Sequence, residues 1–285
     1  MTKPHYMERF ALLVCAGLAL AGCQGLGNIA ATPEAQEARY ATSPANIASL
    51  TEAVRKNPND PQSYNMRGSV FGEAGRYDEA LADFNHALKL DPKYAQAYAN
   101  RGLVYRQKGQ LALALADYNS ALGIDPNYAG AYLGRGLVYR QNGQLILALR
   151  DFNRAIAIRP DNAQAYYNRG LLYQSQRQHQ FAIDDFSTAI GLSQQEAEPY
   201  IARGLSYMAV NDFKAAASDL DDAVQVEPQN LQAWVSRGLA YERLGDKEKA
   251  AGSYARALNI DQNNKVAATG FKRVGGQYGQ SYQAL

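Results

Sequence analysis

Six Arg-Gly pairs carry the side chains of this sequence best equipped for chemistry: Arg67-Gly68, Arg101-Gly102, Arg135-Gly136, Arg169-Gly170, Arg203-Gly204 and Arg237-Gly238. A guanidinium is a permanent cation with a planar fork of donors, which a carboxylate matches with two parallel hydrogen bonds. Fifteen residues after the glycine stand Asp83, Asp117, Asp151, Asp185 and Asp219; the sixth unit has Ser253 instead. A partly buried arginine without its acid would be costly. The spacing therefore predicts structural ion pairs, Arg67–Asp83, Arg101–Asp117, Arg135–Asp151, Arg169–Asp185 and Arg203–Asp219, rather than a functional basic ladder.

Catalytic chemistry is thinly provided. Histidine occurs as His5, His86 and His179 only, and no Ser/His/Asp, Cys/His or metal-ligand spacing surrounds any of them. His86 and His179 are expected at the surface, and the acidic run Asp219, Asp221 and Asp222 on a solvated helix face. The expectation is a protein that is not an enzyme, with no cofactor and no metal. With 29 basic and 27 acidic residues the net charge is +2, too balanced for the basic stripe of a nucleic-acid binder.

The remaining reactive group is a thiol. The chain begins with Lys3 and Arg9, then an apolar run from Phe10 to Leu20, then Leu20-Ala21-Gly22-Cys23. A basic head, a short apolar stretch and small residues make a secretory signal, and the run is about half of the roughly 20 residues that span a bilayer. The ending resembles the bacterial lipobox. That resemblance implies removal of residues 1–22 and lipidation of Cys23, which would become the new N-terminus. Cys15, the only other cysteine, would leave with the signal, so no disulfide is expected. Gln24 stands where lipoproteins retained at the inner membrane carry Asp, so the resemblance implies the outer membrane, facing the periplasm. Residues 23–42 show no apolar period and read as a flexible tether, reaching roughly 25 Å as a coil.

The elements that must position the arginines follow from their interval, which is 34 residues every time. A fixed period of that size means stacked small units, none of which can bury its apolar face alone. Relative to each glycine, an aromatic stands four before it (Tyr64, Tyr98, Tyr132, Tyr166, Tyr200, Trp234) and another three after (Phe71, Tyr105, Tyr139, Tyr173, Tyr207, Tyr241). Alanine stands twelve and nineteen after, and Phe84, Tyr118, Phe152, Phe186, Leu220 or Tyr254 sixteen after. Small residues suit close helix crossings and the aromatics fill the space beside them, so these aromatics are expected in the core. Gly75, Gly109, Gly143, Asn211 and Gly245 mark a turn within each unit, because glycine and asparagine tolerate the left-handed conformation that ends a helix. Arg177 holds that place in the fourth unit, and its turn is expected to differ.

This pattern resembles the tetratricopeptide repeat family, Trp-x2-Leu-Gly-x2-Tyr, Ala-x3-Phe, then Pro. Two departures stand out: arginine replaces the family's leucine before the glycine, and the proline of Pro92, Pro126, Pro160 and Pro228 is replaced by Gln194 and Gln262. The first of these glutamines suggests an altered junction between the fourth and fifth units. The resemblance implies an all-α fold, a right-handed α-solenoid of six tetratricopeptide helix-turn-helix repeats with capping helices. The expected divisions are signal (1–22), tether (23–42), capping half-repeat (43–60), six repeats (61–94, 95–128, 129–162, 163–196, 197–230 and 231–264), C-terminal capping helix (265–275) and disordered tail (276–285).

In that family the first helix of each unit lines a concave groove that takes extended peptides or partner helices. Carried onto this sequence, the groove would contain Ala99, Leu103 and Arg106; Leu133, Leu137 and Arg140; Tyr167, Leu171 and Gln174; and Ile201, Leu205 and Met208. Arg106 and Arg140, one period apart, could hold a carboxylate; the leucines suit packing between neighbouring helices equally well. The implied function is an envelope lipoprotein acting as a scaffold or adaptor for other envelope proteins or peptides, with the membrane contacted through its N-terminal lipid. The alternative is a pilotin-like assembly factor for a pilus or secretion channel.

Overall fold

The computed structural model describes residues 41–277 and 282. The signal 1–22, Cys23, nearly all of the expected tether and most of the expected tail lie outside the described residues. Among the described residues there are fourteen helices and no strand. α1 (Pro44–Lys56) comes first. Six pairs follow: α2 (Pro61–Glu73) and α3 (Tyr77–Leu90), α4 (Ala95–Gln107) and α5 (Leu111–Ile124), α6 (Ala129–Gln141) and α7 (Leu145–Ile158), α8 (Ala163–Ser175) and α9 (His179–Leu192), α10 (Ala197–Ala209) and α11 (Phe213–Val226), α12 (Leu231–Leu244) and α13 (Lys247–Ile260). α14 (Lys265–Arg273) is last. Each helix packs on the next, and the first helices of neighbouring units also touch one another. The chain is thus an all-α repeat solenoid whose inner wall is made of first helices.

Local chemistry starts and stops these helices. Ser43 accepts a hydrogen bond from the Asn46 N–H at 3.2 Å, and Pro44, which has no N–H to satisfy, takes the first turn of α1. The turns inside the units use left-handed residues, with φ 73° at Gly75 and 64° at Asn211. Arg177 adopts the same conformation at φ 58°. The expected difference in the fourth turn is therefore absent: the Gln178 N–H donates to the Tyr173 carbonyl at 2.9 Å, as the Gln144 N–H does to Tyr139 at 2.8 Å. Packing of α8 on α9 imposes the turn on a residue that pays a steric penalty of about 1–2 kcal/mol there.

The periodic alanines explain how the helices approach. All twelve, from Ala80 to Ala257, are 1% exposed or less. The Arg-Gly glycine lies beneath the side chain sixteen residues on, a ring in every unit but the fifth, where it is Leu220; a Cβ at Gly136 would meet Phe152 at 2.7 Å. Of the two junctions without proline, the one at Gln194 does differ, whereas the one at Gln262 keeps its turn bond, Asn264 N–H to the Asp261 carbonyl at 3.1 Å. Elsewhere a turn bond closes the link between units, such as Tyr94 N–H to the Asp91 carbonyl at 3.2 Å, and none joins Glu196 to Ser193. At the C-terminus, Phe271 of α14 is buried, and the ring of Tyr282, within the expected tail, packs edge-on against it at 5.7 Å.

Candidate protein-docking groove

The arginines before the glycines point between helices, each gripping its aspartate side-on. In the third unit Arg135 Nε donates to Asp151 Oδ2 at 2.7 Å and Nη2 to Oδ1 at 3.0 Å. The same two-bond contact joins Arg67 to Asp83, Arg101 to Asp117, Arg169 to Asp185 and Arg203 to Asp219. These hydrogen bonds hold the Arg101 guanidinium above its ordinary value against the opposing effect of burial. Two aromatics of the same helix flank the head groups of Arg67, Arg101, Arg135, Arg169 and Arg237: Arg135 Cζ lies 5.4 Å from the Tyr132 ring and 5.8 Å from that of Tyr139. Those rings are half-buried walls around a cation.

The third nitrogen reaches a partner that the spacing argument missed. Nη1 of Arg101, Arg135 and Arg169 donates to Asn85, Asn119 and Asn153, and that of Arg203 to Ser187, on the second helix of the preceding unit. Arg67 reaches Thr51 of α1 in the same way. Each arginine therefore ties two units together. The signal was present as a polar residue seventeen after each of the first five glycines, but spacing alone does not reveal which neighbour it faces. In the sixth unit the acid changes sides: Arg237 pairs with Asp221 of the fifth unit at 2.6 Å and donates to Ser253 at 2.8 Å. Asp219 is thus paired with Arg203 as its spacing predicts, and Asp221, expected on a solvated face, is ion-paired as well. Burial pushes Asp219 above the usual carboxylate range despite Arg203.

On the inner wall, Arg106 and Arg140 behave differently. Among the described residues neither has a carboxylate partner, and Arg106 Nε is buried with no hydrogen bond. Burial pulls Arg140 below the ordinary arginine value, and the neighbouring charge of Arg106 adds to that. The two line an open hollow of about 410 Å³ with Leu137, Leu145, Leu171, Gln141 and Ser175. Tyr118, beneath Arg106, has its hydroxyl pushed up to about 12 by burial, with Arg106 pulling the other way. The sixth unit offers an internal comparison. There Glu242 occupies the position of Arg106, accepts from Tyr254 Oη at 2.7 Å, and binds Arg273. A tyrosine, a carboxylate and an arginine complete the one site; a tyrosine and two arginines leave the other open.

The remaining groove residues divide. Tyr167, Leu171, Gln174, Ile201 and Leu205 line a second hollow of about 200 Å³, and Leu103, 40% exposed, lines a third. Gln174 is engaged internally, donating to the Ala202 carbonyl and the Ser206 hydroxyl, both at 2.9 Å. Met208 packs against the C-terminal core. Ala99 and Leu133 are a correction to the expected lining: both are buried in the core, because their side of the first helix meets the neighbouring unit. His86 is exposed and stacks on Tyr64 at 4.1 Å, whereas His179 is half-buried. No group of His, Cys, Asp and Glu that could hold a metal ion occurs among the described residues.

Models described as "TPR repeat" match residues 68–109, 102–143 and 136–176, and models described as "Tetratricopeptide repeat" match 49–82, 163–195 and 201–265. No curated protein matches the chain. Among solved structures, the Cut9–Hcn1 hetero-tetramer of the APC/C is similar at TM-score 0.70 and 18% identity, covering 83% of this chain and 47% of that one. This chain therefore spans about half its length. The Pseudomonas aeruginosa protein pilF is similar at TM-score 0.67 and 17% identity, covering 75% and 95%. YrrB, a TPR protein with an unusual peptide-binding site, is similar at TM-score 0.50 and 23% identity, covering 65% and 95%. These likenesses are of fold.

Proposed function

The chain belongs to the tetratricopeptide repeat family, and from that premise we propose that it is a non-catalytic, lipid-anchored envelope adaptor that captures partner proteins on its inner wall. Repeats of this family bind peptides and proteins, and the stacked first helices supply the surface. The observation that carries the reading is the pair Arg106 and Arg140. Six other arginines of the first helices hold a carboxylate; these two face an apolar hollow without one. Apolar walls with a few convergent polar groups are what a peptide-docking groove requires. The comparison with Glu242 supports a carboxylate as the missing group, from an acidic side chain or a chain terminus of the partner.

Cys23 supplies the anchor in this reading, with the body facing the periplasm from the outer membrane. Several acyl chains give stable attachment where a single one would not. No helix among the described residues is long and apolar enough to cross a membrane. Cys23→Ser should move the protein from the membrane to the soluble fraction; continued retention would overturn the anchor.

The groove is tested by photocrosslinking from Leu137 in envelope preparations of wild-type protein and of a variant carrying Arg106→Glu with Arg140→Glu. The expected result is capture of partner proteins that the variant loses while its helicity and thermal unfolding stay nearly unchanged. Equal capture by both would remove this hollow from consideration. Several soluble partners fit an adaptor, whereas one membrane complex would favour the assembly-factor reading.

A further inference from the structure

Three units expose large apolar side chains in the first turn of the second helix, and two more at the end of the first helix beside it, Val210 and Leu244, all along one edge of the solenoid. Leu113 is 48% exposed, Ile146 83% and Phe181 59%. They stand in the first turns of α5, α7 and α9. The corresponding turns of the other units carry charge instead, at Asp78 and Glu79, Lys214, and Lys247 and Glu248. Residues 107–116 and 141–150 contain no carboxylate and residues 175–184 contain one, the exposed Asp184; the cations of the three segments are Lys108, Arg150 and Arg177.

The same edge is where the chain arrives. Second helices of successive repeats run in the same direction, so all of them begin at one edge. α1 is packed as a second helix, since its Thr51 meets Arg67 as Asn85 meets Arg101. The chain therefore joins the solenoid on that edge at Ser43. Nineteen residues separate Cys23 from Ser43, a distance of about 25 Å for a flexible coil.

We propose that this edge rests on the membrane, with Leu113, Ile146 and Phe181 seated at the boundary between head groups and acyl chains. The inference rests on the reading of Cys23 as a lipid anchor. Anchoring holds the edge at high local concentration beside the bilayer, so weak apolar contacts are enough to orient the body. Of the cations there, Lys108 is held by Asp78 and Arg150 lies 3.6 Å from Asp151, which leaves Arg177 to meet an anionic head group. Three separated side chains make a poor core for a protein interface, which needs roughly 800 Å² on each partner. A fluid boundary accepts isolated apolar groups without a matching surface. The first helices, on the inner wall, would then stay clear of the bilayer and open to partners.

The test uses full-length lipidated protein in phosphatidylethanolamine–phosphatidylglycerol vesicles containing doxyl-labelled lipid. Ile146→Cys and Leu192→Cys variants carry an environment-sensitive fluorophore; Leu192 ends α9 on the opposite edge. Flotation with the vesicles reads the anchor, and quenching reads the edge. The expected result is flotation of both, with the label at position 146 quenched several-fold more than that at 192. Flotation with equal quenching would overturn the proposal and leave the anchor standing. Loss of flotation would overturn both. A label at 146 shielded from aqueous iodide but not quenched by lipid would assign the edge to a protein contact and overturn the membrane.

Discussion

Arg237 and Asp221 form an ion pair across two repeats at 2.6 Å, in the one unit where the usual aspartate has become Ser253. The carboxylate has moved from the unit's own second helix to that of the preceding unit, and the guanidinium has kept its place. What the fold conserves among its units is therefore a neutralised arginine between three helices, not a particular Arg–Asp spacing. Tyr241 joins the arrangement by donating to Asp221 at 2.7 Å.

Removing Asp221 should expose this dependence. Asp221→Asn is expected to lower stability by about 2–3 kcal/mol, because Arg237 is 3% exposed and would lose its charge partner. Adding Ser253→Asp to that variant should return most of the loss by restoring the pattern of the other units. A double-mutant cycle by urea unfolding measures the coupling; additive effects of the two substitutions would refute the exchange.

The buried pairs should outweigh the surface ones. Asp151→Ala strands Arg135 in a site where the carboxylate is 1% exposed, and a loss of about 3–5 kcal/mol is expected. Asp78→Ala removes the Lys108 pair, in which the aspartate is 91% exposed, and should leave the urea midpoint nearly unchanged. Similar midpoint shifts for the two would contradict the assignment of stability to burial.

Arg177 holds a conformation that glycine adopts without steric cost, and its side chain is exposed. Arg177→Gly should therefore stabilise the protein or leave it unchanged, the relief of about 1 kcal/mol being offset in part by greater freedom of the unfolded chain. Gly143→Arg, the reverse change in the preceding turn, should destabilise. Thermal unfolding of both variants checks the signs.

The Tyr118 hydroxyl sets an alkaline limit. Its value in the fold is about 12, above the ordinary 10, so folding favours the neutral phenol. This contribution is fully present below pH 10, where the unfolded tyrosine is also protonated, and is lost as pH rises from 10 to 12. Tyr118→Phe should flatten the fall in stability across that window, as followed by urea unfolding at fixed pH. An unchanged slope would show that Tyr118 does not titrate with folding.

Periodicity alone was enough for the architecture. Six Arg-Gly pairs in fixed phase with alanines and aromatics require equivalent helical hairpins, because a repeat that cannot close its own core must stack. The aspartates that bind five of the arginines were also readable, since both partners belong to one unit and recur at one spacing. Tertiary structure decided what depends on the neighbouring unit. It placed Asn85, Asn119, Asn153, Ser187 and Asp221 on the far side of the arginines, buried Ala99 and Leu133, forced Arg177 into a glycine's conformation, and left Arg106 without the carboxylate that its relatives hold. A spacing specifies which residues share a helix face, whereas burial and pairing depend on what the next helix brings to that face.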